Sequence, residues 1–289
     1  MRASILFFLC ISSFLCLAQN EEKLRKDYIL EVDDDGILVE KFDSTNIDEN
    51  RFTKNNMIFR EGVSFHYKYE HIDTTNNKYL INYIDSINTW EFVPVANADN
   101  NTILQVIISV KQGLQGFDKF IPDYNQTIIG YSYPTQDNYM GSINSSSGVI
   151  ENEGNIWMHP PRDQYFEILE LNPFPYIKAP YTIGTKWSWQ LTIGDLWADG
   201  RWKLWSGQIQ NSYQYEITAF KPLKTIFGLV DCYVIEGVAI SRLGETRLKS
   251  YFNTEYGFVL MEYVNIDGSR TILELTNYLD LDKNSGHNP

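Results

Sequence analysis

Residues 186–193 read KWSWQLTI and alternate polar with apolar side chains at every position. Because successive side chains of a strand point to opposite faces of its sheet, this pattern predicts a half-buried β-strand. Comparable segments follow at 201–209, 213–220, 229–240, 246–253, 257–266 and 269–278. Asp267-Gly268, between the last two, is typical of a tight hairpin turn. Strands so closely spaced are expected to pair with their sequence neighbours as an antiparallel meander.

The N-terminal half carries the same signal less regularly. The sequence predicts strands at 63–70, 79–87, 91–95, 102–110 and 127–133, and a loop or weakly paired hairpin at 137–154. One short helix is predicted near 163–171, where Asp163 can cap its start and Pro173 can end it. Since strands do not alternate with helices, we predict an all-β chain, built as a curved sheet or a partly closed barrel.

The first 18 residues have the character of a secretory signal peptide. Arg2 provides a short positive start, and a mostly apolar run follows. The segment ends with small residues, Cys16 and Ala18, at the −3 and −1 positions of the expected cleavage site. The apolar run is shorter than the roughly 20 residues that span a bilayer, so cleavage is favoured over a retained anchor. Lipid attachment at Cys16 is a lesser alternative. We therefore expect an exported protein, periplasmic or extracellular.

Domain organisation is expected to be simple. After the signal peptide, residues 19–55 form an N-terminal segment that we expect to be partly mobile, because it is charged and rich in Asp and Asn. A single β domain is predicted over 56–279, with a subdivision near residue 154 as the alternative. The polar residues 280–289 are predicted to be a disordered tail.

Charge and cysteine content restrict the partners and the chemistry. The formal net charge is −13, and loss of Arg2 with the signal makes it −14. This balance argues against nucleic acids and anionic membrane surfaces, which require clustered Lys and Arg. Cys10 and Cys16 leave with the signal, so Cys232 has no partner for an internal disulfide. Flanked by apolar alternate positions, Cys232 is expected to be a buried core residue.

No cofactor, metal or catalytic motif emerges from the sequence. His66 and His71 are five residues apart on a predicted strand, so they should face opposite sides and cannot share a metal ion there. A Gly-x-Ser-x-Gly nucleophile motif, a phosphate-binding loop and a dinucleotide fingerprint are absent from the sequence. Glu167 and Glu170 are i and i+3 neighbours on the predicted helix, where a solvated face explains them best. An enzyme is therefore less favoured than a binding protein.

Aromatic density provides the binding candidates, since Tyr, Phe and Trp make up 15% of the chain. Trp187 and Trp189 are expected in the core, whereas Trp197 lies in a predicted turn and should be the most exposed. Trp202 and Trp205 have opposite strand parity, so one of them should point outward. We select Trp197, Trp202 and Trp205 as candidate binding residues, because exposed aromatic rings stack on sugars or line apolar sites.

A second candidate is the segment Trp157-Met158-His159-Pro160-Pro161-Arg162. Its two prolines fix an extended backbone, which could hold His159 and Arg162 at the rim of a binding site. The alternative is that the segment is a purely structural corner between two parts of the sheet. This alternative is favoured because structural turns are more common in proteins than functional residues.

Three segments give the chain a resemblance to known proteins. These are 157–162 together with 184–187, then 227–235, and finally 251–259 leading to 267–268 and 273–275. They resemble a group of uncharacterised exported bacterial envelope proteins with a β-meander domain of unknown function, over roughly the C-terminal half. The resemblance implies an antiparallel sheet, open or barrel-like, in a periplasmic or surface protein. It carries no catalytic residues.

Three functional hypotheses follow. The first is a non-enzymatic envelope protein that binds an apolar or amphipathic ligand, or a partner protein. The second is a carbohydrate-binding module that uses exposed Trp and Tyr. The third is a hydrolase with an unrecognised site near His159. The expected partner is accordingly an envelope lipid, glycan or protein.

Overall fold

The computed structural model describes residues 28–42, 55–84, 89–113, 126–137 and 144–281. The predicted signal peptide, most of the 19–55 segment and residues 282–289 lie outside these ranges. The described residues form the strands β1 (Tyr28–Val32), β2 (Leu38–Phe42), β3 (Val63–Ile72), β4 (Lys78–Ile84), β5 (Thr89–Pro94), β6 (Val106–Val110), β7 (Thr127–Ser132), β8 (Asn144–Glu151), β9 (Asn155–Met158), β10 (Tyr176–Lys178), β11 (Lys186–Ile193), β12 (Ile209–Thr225), β13 (Gly228–Ser241), β14 (Gly244–Asn253), β15 (Gly257–Val264) and β16 (Arg270–Asp280). Short 3₁₀ helices occupy Val95–Asn97, Gln164–Leu171 and Asp195–Trp197.

All strand pairings within the described residues are antiparallel, which confirms the predicted all-β class. Strands β1 and β2 form a separate hairpin, and the other fourteen belong to one sheet. Its main path runs β10-β9-β8-β7-β6-β3-β16-β15-β14-β13-β12-β11, with β4 and β5 attached beside β3. From β11 to β16 every strand pairs with the next one in sequence, so the predicted C-terminal meander is confirmed. The strand predicted at 201–209 is wrong, because residues 201–208 belong to a loop held by the Asp195 and Asp199 carboxylates, and β12 begins at Ile209.

The sheet curves until its two ends meet. Strand β10 at one end and β11 at the other touch through the rings of Tyr176 and Trp187, whose centroids are 5.5 Å apart. Trp157 on β9 and Trp189 on β11 meet edge to face at 5.9 Å. The result is a nearly closed, barrel-like sheet whose inner face is the core.

Strand alternation explains how the aromatic residues enter that core. On β11, Trp187, Trp189 and Ile193 are buried, and the intervening polar residues face outward. The indole Nε1 of Trp189 donates a hydrogen bond of 3.1 Å to the Tyr215 hydroxyl, which donates to the Phe174 carbonyl. Hydroxyl-bearing rings can therefore fill this interior because their polar ends find partners inside it.

The Gln164–Leu171 helix, hereafter the inner helix, lies against the concave side of the sheet. Six of its eight residues are buried, namely Tyr165, Phe166, Ile168, Leu169, Glu170 and Leu171. The predicted helix near 163–171 is confirmed in position, but it is a 3₁₀ helix. Asp163 does not cap it through its side chain. That carboxylate instead accepts hydrogen bonds from the Tyr133 and Ser145 hydroxyls, which ties the start of the helix to the sheet.

Of the loop and the weakly paired hairpin predicted over 137–154, the described residues from 144 onward agree with the hairpin, although the pairing is regular. Residues 144–151 form strand β8, which pairs with β7 and β9. The Ser- and Gly-rich sequence has low strand propensity, and pairing with two neighbouring strands overrides it.

The β1–β2 hairpin lies across the gap between the ends of the sheet. The side chains of Asn152 and Asn155 donate to the Leu38 carbonyl, and the Gln190 N–H donates to the Asp35 carbonyl. These contacts connect the hairpin to both ends of the main path.

Candidate functional site

Four of the five candidate binding residues lie in one contiguous group. The Arg162 guanidinium carbon is 4.6 Å from the centroid of the Trp197 ring. Arg162 Nη1 lies 3.4 Å from His159 Nε2, and the Trp202 indole donates a 3.1 Å hydrogen bond to the Trp197 carbonyl. Trp205 is half-buried and packs against the core. The sequence pointed to these residues as two separate features, and the fold joins them.

His159 is held by its backbone and by its own ring. The Tyr131 hydroxyl donates to the His159 carbonyl at 2.5 Å, and the two prolines that follow His159 are buried. The ring Nδ1 lies 3.1 Å from the Pro160 carbonyl, which can only accept a hydrogen bond. Nδ1 therefore carries the proton, and the Nε2 lone pair faces Arg162. Burial and the adjacent Arg162 charge lower the pKa of His159 to about 3, so the imidazole is neutral.

Glu170 lies beneath Arg162 and His159. Its Oε1 is 3.5 Å from Arg162 Nε and 3.6 Å from His159 Nε2, and the atom has no hydrogen-bond partner. Burial raises the pKa of Glu170 to about 8, although the Arg162 charge acts in the opposite direction. The carboxyl group is thus mostly protonated at neutral pH.

The position of Glu170 corrects the prediction of a solvated helix face. Glu167 is half-buried, whereas the Glu170 side chain keeps only 4% of its exposure. The inner helix is enclosed by the curved sheet, so even a glutamate on it can be buried. The local sequence carries no signal for this enclosure, because it arises from strands distant in the chain.

The second component of the site is residues 194–207, which we call the Trp197 loop. Leu196 is 93% exposed and Leu204 is 72% exposed. Trp197 is half-buried against the core, as is Trp205, while Trp202 is buried and meets Tyr165 edge to face at 5.8 Å. Since residues 201–208 form no strand, the parity argument does not apply to Trp202 and Trp205, and both pack against the core. The loop therefore exposes two leucines to solvent, while its tryptophans pack in or against the core.

Hydrogen bonds fix the shape of the Trp197 loop. The Asp195 carboxylate accepts from the Gly207 N–H at 2.7 Å, which closes the loop. Asp199 binds the Arg201 guanidinium through two bonds of 2.9 Å. Arg201 also lies 4.8 Å above the Trp202 ring. Two guanidiniums thus lie on tryptophan rings among the described residues, and the charge of Arg201 is neutralised by a paired carboxylate.

Two clefts open elsewhere on the molecule. One, of about 530 Å³, is lined by polar residues of β11–β13 such as Lys186, Gln214 and Glu236. The other, of about 440 Å³, lies between the turn at 33–36 and β11–β12. Neither cleft is lined by residues of the Trp197 loop.

No group of three His, Cys, Asp or Glu side chains is placed to hold a metal ion in the part of the chain that the structure describes. Over those same residues, no helix is long and apolar enough to span a bilayer.

Comparison with known proteins gives distant structural similarity only. No family model matches the chain, and no curated protein matches it. One similar solved structure is a Bacteroides fragilis protein described as exported, with a YmcC-like fold. It is 9% identical, with a TM-score of 0.38, covering 79% of this chain and 99% of that one.

Two further structures come from proteins described as lipoproteins. The one from Parabacteroides distasonis is 12% identical, with a TM-score of 0.40 and coverage of 77% of this chain and 99% of that one. The hypothetical lipoprotein YmcC from Escherichia coli is 7% identical, with a TM-score of 0.33 and coverage of 81% and 90%. At this level of similarity we transfer no residue role.

Proposed function

We propose that this chain is an exported protein of the bacterial envelope that binds an amphipathic ligand, without catalysis, at the Trp197 loop. Export is supported by the signal-like residues 1–18. The observation that carries the binding proposal is the exposure of Leu196 and Leu204 on a loop of fixed shape beside Trp197 and Arg162. Apolar side chains gathered at one surface position favour a docking site, since burying them removes apolar area from water.

The construction of the loop supports binding. Trp202 anchors it from inside, and the Asp195 and Asp199 carboxylates hold its backbone. A surface that is already in its bound shape loses little conformational entropy on association. Leu196 and Leu204 can therefore contribute most of their burial energy to affinity.

The group near His159 favours binding over hydrolysis. A histidine whose pKa is about 3 accepts a proton poorly at neutral pH, and its free nitrogen already faces Arg162. The buried Glu170 Oε1 approaches only Arg162 and His159 among its ion-pair contacts in the described residues, and it has no hydrogen-bond partner. The group is better suited to holding Arg162 in position.

The test is a titration with an uncharged, sugar-free amphiphile, octaethylene glycol monododecyl ether, below its micelle concentration and followed by calorimetry. We expect saturable binding to the wild-type protein. The double variant Leu196→Ser/Leu204→Ser should bind roughly 30-fold more weakly, as expected for about 2 kcal/mol of lost apolar burial.

The matched control is Leu229→Ser, which removes an equally exposed leucine from β13 and should leave the affinity unchanged. Absence of binding, or equal affinity of all three proteins, would overturn the proposal. Retention of glycans that depends on Trp197, without amphiphile binding, would instead identify the protein as a carbohydrate-binding module.

A further inference from the structure

Arg162 is both fixed and reachable. Its guanidinium lies on the Trp197 ring on one side, with His159 Nε2 and Glu170 Oε1 on others, at 4.6, 3.4 and 3.5 Å. The side chain nevertheless keeps 30% of its exposure. A flexible surface arginine loses side-chain entropy when it binds an anion, whereas Arg162 is already held in place.

The positive charge of Arg162 is not cancelled by its neighbours. Glu170 approaches it without a hydrogen bond and is mostly protonated at neutral pH. The Asp163 carboxylate is bound by the Tyr133 and Ser145 hydroxyls. Glu167 interacts electrostatically with Arg201 and Asp199, so its charge acts on the Arg201 guanidinium and not on that of Arg162.

Three other arginines of the described chain pair with carboxylates, namely Arg60 with Asp280, Arg201 with Asp199 and Arg247 with Glu245. Arg242 and Arg270 are exposed and donate to the Ser206 carbonyl and the Asn76 side chain, so Arg162 differs from them in its partial burial. At Arg162 the sole carboxylate contact within 4 Å, among described residues, is the buried Glu170. A partly buried guanidinium without an ionised partner favours an anion from outside the chain.

From this juxtaposition of an uncompensated guanidinium with exposed leucines, we infer that the ligand is an anionic amphiphile. Arg162 binds its oxyanion head group, a phosphate or a carboxylate, and the apolar chain lies over Trp197 and Leu196. This inference rests on the proposed function and adds that the ligand is negatively charged. It concerns single amphiphile molecules, because the net charge of −13 disfavours adsorption to an anionic bilayer.

The test compares four probes at pH 7 by calorimetry: dodecyl phosphate, dodecanoate, the uncharged dodecyl ether used above, and inorganic phosphate. We expect at least one anionic amphiphile to bind wild-type protein about tenfold or more tightly than the ether. Arg162→Gln should abolish this difference in affinity between the anionic amphiphiles and the ether, and Arg162→Lys should restore part of it.

Arg270→Gln is the matched control, since it removes an exposed guanidinium that lies outside the Trp197 loop and donates to the Asn76 side chain, and it should retain the preference for anions. Thermal unfolding of each variant confirms that it is folded, and ether binding reports on the loop independently. If the ether binds and the anionic amphiphiles bind no better, the inference fails and the proposed function stands. If no amphiphile binds, both fail. Equal affinity for inorganic phosphate and dodecyl phosphate would overturn the inference, because it would show that the dodecyl chain contributes nothing to binding.

Discussion

Glu170→Gln tests the electrostatics of the buried group most directly. The pKa of Glu170 is raised from 4.5 to about 8 by burial in the folded protein. A group with a raised folded-state pKa stabilises the fold below its unfolded pKa, and this stabilisation is lost as pH rises through the folded pKa. The wild-type protein should therefore become less stable as the pH rises toward 8 and slightly beyond.

The magnitude follows from the protons bound in each state. Above pH 6.5 the unfolded carboxyl is ionised, while the folded one still holds most of a proton until about pH 8. Integrating this difference from pH 6.5 to pH 9, at about 1.4 kcal/mol per proton per pH unit, gives a loss of about 2 kcal/mol. The amide of Glu170→Gln cannot ionise, so the variant should lack this component.

The assay is urea unfolding, followed by tryptophan fluorescence, at several pH values between 6.5 and 9. The free energy of unfolding of Glu170→Gln, minus that of wild type, should rise by about 2 kcal/mol across the series. Glu40, whose pKa is raised to about 7 by burial, contributes to both proteins and cancels in the difference. The control Glu274→Gln removes a surface carboxylate beside Lys68 and should give a flat difference. A difference for Glu170→Gln that stays constant within about 0.5 kcal/mol would refute the assigned protonation state.

Three further outcomes are expected. Glu151→Ala should lower the free energy of unfolding by roughly 3 kcal/mol in urea titrations, because its carboxylate accepts hydrogen bonds from the backbone N–H groups of 57–59; a loss below about 1 kcal/mol would contradict this. Cys232 should resist iodoacetamide at pH 8 in native protein and react once urea unfolds it, since it is fully buried and its pKa is raised to about 11; rapid native labelling, read by mass spectrometry, would be inconsistent with the fold. Tyr215→Phe should cost about 2 kcal/mol in thermal unfolding, because it leaves the Trp189 indole and a buried carbonyl without their partner, and an unchanged melting temperature would argue against this network.

The C-terminal part of the fold could be predicted because its information is local. Strict alternation on β11 and the Asp267-Gly268 turn specify strands and their nearest partners, and adjacent strands do pair. The pairing of β3 with β16 leaves no comparable trace, since the two segments are far apart in the chain. Strand β8 was predicted only as one of two alternatives, a loop or a weakly paired hairpin, because its flanking strands, and not its own residues, determine its conformation.

The candidate site was predictable only in parts. Rigid prolines pointed to Arg162, and turn residues pointed to Trp197, but their contact depends on the curvature of the whole sheet. Glu170 was misassigned because helical spacing reports which residues share a face, and not whether that face meets water or protein. Trp202 and Trp205 illustrate the same limit, because the parity argument assumed a strand at 201–209, whereas residues 201–208 form a loop in which both tryptophans pack against the core.

The central β3–β16 pair has a consequence for how the chain folds. The Thr276 hydroxyl donates to the His66 carbonyl across a sequence separation of 210 residues, whereas β11–β16 assemble through adjacent hairpins. Contacts between residues so far apart in the sequence form slowly, because the entropy of closing a long loop is lost before the contacts stabilise the fold. In refolding of the whole chain, the β11–β16 hairpins are therefore expected to form before β3 pairs with β16. During synthesis, neither the complete meander nor the β3–β16 pair can form until β16 has been made, so the enclosed interior is acquired late.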